Sequence, residues 1–138
     1  MTAAFAPGTL AARMGIEVLS GDPQRLVARM PLRGNRQMYG FLHGGASAAF
    51  AQVLAVHAAA LEAGPGGQVT GQEMSCTHHR AARGTGWVDG VCTPLFLGDT
   101  TGTYDVAVLD ERGNRLASAR LTCRLRRATG TGTAKERA

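Results

Sequence analysis

The 138-residue chain, with 44% hydrophobic and 18% charged residues, has the composition of a single soluble globular domain. Its formal net charge of +5 is compatible with nucleic-acid binding, but the basic residues are scattered and only 5% of residues are aromatic. Because base stacking depends on aromatic side chains, we expect no nucleic-acid partner. A modest basic excess suits a phosphate-bearing small molecule equally well.

Cysteine content and the N-terminal sequence indicate a cytoplasmic protein. Cys76, Cys92 and Cys123 are odd in number and widely spaced, which is unlike a disulfide framework. Residues 1–15 lack the basic start and the sustained apolar core of a signal peptide. The apolar run at residues 46–61 is too short and too interrupted for a membrane span, so we expect no membrane partner.

Hydrophobic periodicity predicts two strands, one long helix and then about four antiparallel strands. Residues 1–8 are expected to be loose, residues 9–14 to form a short helix, and residues 110–114 to form a hairpin turn. The predicted strands are residues 15–19, 24–31, 68–79, 87–95 (broken near Pro94), 103–109 and 115–126. The fold class is therefore α+β, with a curved antiparallel sheet wrapped around one helix. We expect one domain at residues 15–126, an N-terminal segment at 1–14 and a disordered tail at 127–138.

The start of the long helix has the features of an anion-binding site. His43, Gly44 and Gly45 precede an alanine-rich apolar run that is interrupted by Gln52 and His57. The first N–H groups of a helix have no partner within the helix, and they carry the positive end of its dipole. Two glycines would let a ligand approach this backbone closely. The pattern suits an anion or a developing oxyanion, although a glycine pair that merely ends a loop would have the same sequence.

Four motifs together resemble those of a known enzyme family. Gln37 lies six residues before the His43-Gly44-Gly45 motif, and the chain continues with THHR at 77–80, GVCTPL at 90–95 and DERGNR at 110–115. This combination resembles the hotdog-fold acyl-CoA thioesterases over residues 15–126. It is most similar to the branch that hydrolyses aryl-CoA thioesters such as 1,4-dihydroxy-2-naphthoyl-CoA and 4-hydroxybenzoyl-CoA. The resemblance implies a hotdog fold and a hydrolase without a cofactor, since coenzyme A enters as part of the substrate.

The resemblance also implies roles for individual residues. The Gly44 N–H would polarise the thioester carbonyl, with His43 beside it and Gln37 in contact with the reacting centre. The helix of one subunit and the loops of another would form each pocket, so the chain would be a homodimer or a homotetramer that binds a small-molecule thioester. The apolar substrate pocket would be formed by Gly45, Phe50, Val53, Val56 and Phe96. The coenzyme A portion would be held by Arg80, Arg83, Gly98, Asp99 and Thr100, although solvated turn residues would give the same pattern.

Three positions depart from the family pattern. The family's essential aspartate or glutamate lies nine residues after the motif histidine, and here that position is Gln52. Val56 stands where relatives carry serine or threonine, and Phe96 where near relatives carry histidine. An amide can neither attack a carbonyl nor take a proton from water. An engineered change that traps a bound thioester would need only Gln52. The further departures at Val56 and Phe96 therefore argue that Gln52 is not such an engineered change.

The sequence therefore supports two hypotheses. The first is a thioesterase-like hydrolase in which Gln52 replaces the catalytic carboxylate. The second is a hotdog protein with lost or redirected chemistry, either an isomerase, cyclase or lyase, or a module that only binds a thioester.

Few residues could replace the missing carboxylate. His57 is five positions further along, about 140° around the helix, so we expect it to face elsewhere as a core or interface histidine. Asp99, from a neighbouring subunit, is the best substitute, and Glu73 is expected to be structural. His78 and His79 are neighbours on a predicted strand and should point to opposite faces, so we expect no metal site.

Overall fold

One antiparallel sheet and one long helix account for most of the structure. The computed structural model describes residues 3–128. Within them the elements are β1 (Ala3–Ala4), α1 (Leu10–Arg13), β2 (Glu17–Asp22), β3 (Arg25–Pro31), α2 (Gly44–Ala63), β4 (Gln68–His78), β5 (Trp87–Leu97), β6 (Thr101–Leu109) and β7 (Arg115–Arg126). The strands form one sheet in the order β1-β2-β3-β5-β6-β7-β4. The predicted two strands, long helix and four further strands are thus confirmed.

Strand β7 shows why alternation predicted the sheet well. Its alternate residues Ala117, Ala119, Leu121, Cys123 and Leu125 are all buried in the core. The preceding hairpin forms because the Asp110 carboxylate accepts hydrogen bonds from the Arg112 and Asn114 N–H groups, at 2.9 and 2.8 Å. Gly113 supplies the positive φ of 82° that the turn needs.

Helix α2 packs its apolar face onto the concave side of the sheet. Phe50, Leu54 and Ala58 are at most 1% exposed, and small alanines between them let the sheet approach closely. By length and composition α2 would also qualify as a membrane span, with 20 residues and a mean hydropathy of 1.4. Its packing against the sheet identifies it instead as the core helix.

The ends of the chain and of β5 differ from expectation. Residues 1–8 were expected to be loose, but Ala3 and Ala4 pair with β2. The short helix expected at residues 9–14 is confirmed as α1, and its Ala11 joins the core. Strand β5 does not stop near Pro94, because a bulge carries the pairing past it to Leu97. Of the predicted tail, Arg127 is hydrogen-bonded to the turn after β5, and residues 129–138 lie outside the described residues. The proposed domain limits stay a prediction.

Candidate active site

His43 defines the start of α2. Its backbone is extended (φ −69°, ψ 130°), and its Nδ1 accepts the Gly45 N–H at 2.8 Å, so it is the N-cap of the helix. Because Nδ1 is an acceptor here, the neutral ring carries its proton on Nε2. The His43 carbonyl oxygen accepts from Ala46 and Ser47, at 2.9 and 3.1 Å. Gly45 therefore belongs to the cap, and its N–H is already engaged.

The Gly44 N–H is the open donor at this helix start. Among residues 3–128 it meets no hydrogen-bond acceptor. A methyl group at Gly44 would lie 3.2 Å from Nε2 of His78, which shows how closely β4 ends beside the start of α2. The donor is therefore partly exposed, lies at the positive end of the helix dipole, and has an imidazole next to it.

Gly44 and His78 line a pocket of about 330 Å³, which we call the N-terminal pocket. Gln37, Ser47, His79 and Arg80 supply its other polar groups, and its remaining wall is largely apolar. The Gln37 side-chain oxygen accepts the Tyr39 N–H, which leaves the amide nitrogen available as a donor. The pocket thus contains two donors, a backbone N–H and a side-chain amide, of the kind that form an oxyanion site.

A second concave surface runs along the outer face of α2. This helix groove has a volume of about 400 Å³ and is lined by Phe5, Leu10, Ala11, Ala49, Gln52, Val53, Val56, His57 and Ala60. The side-chain amide of Gln52 lies over Gly71 of β4, where an added methyl group would be 3.2 Å from its nitrogen. Val53 and Val56, both predicted to contact substrate, form the middle of the groove.

His57 does not face away from Gln52 as predicted, because both line the helix groove. They lie at its opposite borders, and the His57 ring meets the edge of the Phe5 ring with the centroids 5.5 Å apart. Burial lowers the pKa of His57. The expected angle of about 140° between the two residues around the helix axis is correct, but the groove is wide enough to include both side chains.

The predicted catalytic residues are divided between these two surfaces. Gly44 and Gln37 line the N-terminal pocket, with His43 as the N-cap that precedes Gly44, whereas Gln52 lies in the helix groove. Eight residues of helix separate Gly44 from Gln52, which is about 12 Å along the axis. One copy of the chain cannot bring Gln52 to a thioester that is bound at its own Gly44.

The predicted coenzyme A residues are also divided. Arg80 and Arg83 lie near the start of α2, and the Arg83 guanidinium covers the Phe41 ring at 4.4 Å. The turn Gly98-Asp99-Thr100 lies at the other end of the sheet, where Arg127 donates to the Asp99 carbonyl at 2.7 Å and contacts Glu62 near the end of α2. A single chain does not bring these two groups together.

Three predicted substrate contacts lie outside the helix groove, and the first of them, Gly45, belongs to the cap of α2. Phe50 is 0% exposed and packs in the core beside Gly90, so it has no surface with which to touch a ligand. Phe96 is 61% exposed, but it lies near Gly98 at the far end of β5. Neither Asp99 nor Glu73 lines the groove: Asp99 is in the distant turn, whereas Glu73 and Gln52 line a separate, smaller pocket of about 120 Å³ beside Gly71.

Sequence reasoning missed His78 as a site residue and considered it only as a metal ligand. His79 follows the end of β4, so strand alternation no longer applies and both histidines line the N-terminal pocket. His79 is held by Ser118, at 2.9 Å from Nε2 to Oγ. Within residues 3–128 no three His, Cys, Asp or Glu side chains cluster as metal ligands would. His78 could have been predicted as a site residue, because it ends the strand that runs beside α2.

Comparison with known proteins defines the class. Residues 39–117 match the family model described as the thioesterase superfamily, and the chain belongs to that family. It is a thioesterase-type enzyme that acts on a thioester, and the hotdog fold expected from the motifs is confirmed.

Individual relatives support the assignment over nearly the whole chain. The proofreading thioesterase EntH of Cronobacter turicensis is 41% identical over 83% of this chain and 84% of its own length. EntH of Klebsiella pneumoniae is 39% identical over 86% of each chain. The crystal structure of a thioesterase from Haemophilus influenzae superposes with a TM-score of 0.83 at 26% identity, over 92% of this chain and 89% of that one.

Proposed function

We propose that this protein hydrolyses an aryl or acyl thioester at a site that two copies of the chain form together. Coenzyme A or a carrier protein would deliver the acyl group as part of the substrate, and no separate cofactor takes part. The observation that carries the proposal is the open Gly44 N–H at the start of α2, inside a pocket that also contains Gln37. We place the reaction in the cytoplasm.

In this mechanism the carbonyl oxygen of the thioester lies at the start of α2. The Gly44 N–H and the Gln37 amide donate to it, and the helix dipole favours the negative charge that develops when the carbonyl is attacked. His43 fixes the geometry because its ring holds the Gly45 N–H and so orients the first turn. His78 lies beside the bound group and narrows its approach.

A second copy completes the site. Strand β4 forms one end of the sheet, so one of its edges is open for pairing with another chain. A two-fold axis beside β4 would set the two α2 helices antiparallel, with the N-terminal pocket of one copy facing the helix groove of the other. The same operation brings Arg80 and Arg83 of one copy towards the turn Gly98-Asp99-Thr100 of the other. We therefore propose a homodimer or a homotetramer built from such dimers.

Gln52 orients the attacking water and does not deprotonate it, so as the C–S bond breaks the water's proton passes to the departing thiolate, which leaves as the thiol. Its amide oxygen accepts a hydrogen bond from water, as glutamines do in some hydrolases that lack a carboxylate at this step. Loss of a general base typically lowers a rate by about 10²–10⁴-fold. We therefore expect slow hydrolysis by the natural sequence.

A second candidate function rests on the same residue. Val53 and Val56 flank Gln52 in the helix groove, and no carboxylate lines that groove among the described residues. Such a surface would also suit a protein that binds a thioester and isomerises, cyclises or eliminates from it, or that only binds it.

A panel of aryl and alkyl thioesters, each offered on coenzyme A and on a carrier protein, tests the proposal. Hydrolysis is compared among the natural protein, Gln52→Glu and Gln52→Leu. We expect slow turnover by the natural protein, a rise of about 10²–10⁴-fold for Gln52→Glu, and none for Gln52→Leu. If neither the natural protein nor Gln52→Glu hydrolyses any thioester while ligands still bind, the second candidate replaces the first.

A further inference from the structure

One segment of the chain carries both donors of the oxyanion site. Residues 32–43, which we call the site loop, follow β3 and end at the cap of α2, so they include Gln37 and lead directly to the Gly44 N–H. Much of the site loop is at the surface, and Met38 and Tyr39 at its tip are 86% and 72% exposed. Because a segment with few buried contacts is mobile, the two donors stay in place only where the loop is anchored.

Asn35 is the buried anchor of the site loop. It is 7% exposed, and its side-chain nitrogen donates to the Met14 carbonyl oxygen at 2.9 Å and to the Pro31 carbonyl oxygen at 2.8 Å. Met14 caps the end of α1, and Pro31 ends β3. Both hydrogens of the amide nitrogen are thus engaged, and one side chain ties the loop to two elements of the fold.

The backbone of Asn35 extends this anchoring to both donors. Its carbonyl oxygen accepts the His43 N–H at 2.9 Å, and His43 is the cap that precedes Gly44. On the other side Gln37 follows only two residues later, in a hairpin where the Gln37 N–H donates to the Phe41 carbonyl oxygen at 2.8 Å. Asn35 therefore holds the residue before one donor and lies two residues from the other.

We propose that Asn35 is a positioning residue that holds the Gly44 N–H and the Gln37 amide in the arrangement that polarises the thioester carbonyl. The inference rests on the proposed function, which places the carbonyl oxygen at these donors. Asn35 acts through the site loop and touches no reacting atom. Oxyanion donors are effective only when they are fixed in advance where the charge develops, and a displacement of about 1 Å can cost about 10²-fold in rate.

Loss of this anchor should lower kcat and leave KM unchanged. The full negative charge exists only near the transition state, so displaced donors weaken the transition state more than the bound substrate. We expect Asn35→Ala to lower kcat about tenfold to a hundredfold. Asn35→Ser keeps one hydroxyl donor for two carbonyl oxygens and should give an intermediate kcat. A purely structural role would reduce the amount of folded protein without changing kcat per folded molecule.

The carbonyl stretch of a bound analogue that cannot be hydrolysed reports on the two donors without catalysis. The probe is phenacyl-CoA labelled with ¹³C at its carbonyl, in which a methylene separates the sulfur from the carbonyl carbon. Its infrared band should move to lower frequency on binding to the natural protein, because donors at the oxygen polarise the C=O bond. This displacement should be largely lost in Asn35→Ala and partly lost in Asn35→Ser.

Two control variants separate the position of the donors from the stability of the fold. Arg36→Met removes an exposed hydrogen bond of the same loop, from the Arg36 guanidinium to the Gly84 carbonyl oxygen at 3.2 Å. Gly67→Ala strains the fold beyond the opposite end of α2, where the added methyl group would lie 2.8 Å from the Ala63 Cβ. Both variants should keep the kcat and the carbonyl band of the natural protein.

The outcomes distinguish the inference from the proposed function. An unchanged kcat or an unchanged carbonyl band in folded Asn35→Ala would refute the inference alone. If Asn35→Ala does not fold, Asn35→Ser decides by the same two measurements. A natural protein that binds the probe without displacing its band would refute the oxyanion site itself, and the inference with it. A displaced band that depends on Asn35, without hydrolysis by the natural protein or by Gln52→Glu, would refute the hydrolytic function and leave the inference standing.

Discussion

Gly90 is the point where β5 comes closest to α2, and replacing it tests how the core is packed. An added methyl group in Gly90→Ala would lie 2.7 Å from a Leu54 methyl and 2.9 Å from two atoms of the Phe50 ring. The backbone cannot retreat, because Gly90 pairs with Ala28 on β3 and with Val108 on β6. The side chains of α2 must therefore move, and the core is already full.

The expected cost of Gly90→Ala is that of overpacking a core, about 1–3 kcal/mol in the free energy of unfolding. Equilibrium urea denaturation measures it through the transition midpoint, with an unchanged slope if the two states stay the same. Gly21→Ala is the matched control, because its added methyl group has no atom within 4 Å. It should be neutral or slightly stabilising, since alanine reduces the freedom of the unfolded chain.

A double substitution sharpens the test. Leu54→Ala removes one of the atoms that the new methyl group would meet, so its cost and that of Gly90→Ala should not add. If Gly90→Ala is as stable as Gly21→Ala, the close approach of α2 to β5 is wrong. Phe50 would then no longer be fixed in the core, and its predicted contact with substrate would be open again.

Three further predictions concern the site and its surroundings. Gly44→Ala should lower kcat/KM for thioester hydrolysis at least about tenfold, because its methyl group would narrow the approach to the open N–H beside His78. Its free energy of unfolding should not fall, since alanine is a better helix former than glycine, and a loss of stability that matches the loss of activity would contradict this. Burial lowers the pKa of His57, so below about pH 6.5 the unfolded chain takes up a proton at this residue that the folded chain does not. The free energy of unfolding should therefore fall below that pH. Urea titrations at several pH values should show a smaller fall for His57→Leu. Tyr104 is 1% exposed, and its hydroxyl has no protein partner within the described residues. Tyr104→Phe should therefore leave the free energy of unfolding unchanged or raise it in the same assay. A fall of about 1 kcal/mol in the free energy of unfolding would indicate a hydrogen bond.

The sequence predicted the strands well, because strand alternation and turn formation depend on residues that are close together in the chain. In β7 the alternation of period two fixes which side chains are buried, and the Asp110 and Gly113 chemistry fixes the hairpin before it. The two alanines of β1 carry no such signal, since their pairing with β2 depends on backbone hydrogen bonds alone.

The site was less predictable for a physical reason. Helix α2 is apolar nearly all round, so its sequence does not say which face meets the sheet. Phe50 and Val53 are equally apolar, yet one is in the core and the other lines the helix groove. The position of His78 beside Gly44 depends on β4 running antiparallel to α2, which is a tertiary feature. The motifs identified the open Gly44 N–H, but only the fold showed its separation from Gln52.

The sharing of one site between two chains is most directly tested by mixing two defective variants. Gly44→Val blocks the N-terminal pocket, and Gln52→Leu removes the water-orienting amide; each alone should be inactive towards the thioester that the natural protein hydrolyses fastest. In a mixed dimer one site carries both changes and the other carries neither. Random mixing of equal amounts should therefore restore about a quarter of the natural activity. Activity no higher than that of the separate variants, in a sample shown by mass spectrometry to contain mixed dimers, would contradict a site formed by the helix start of one chain and the helix groove of another.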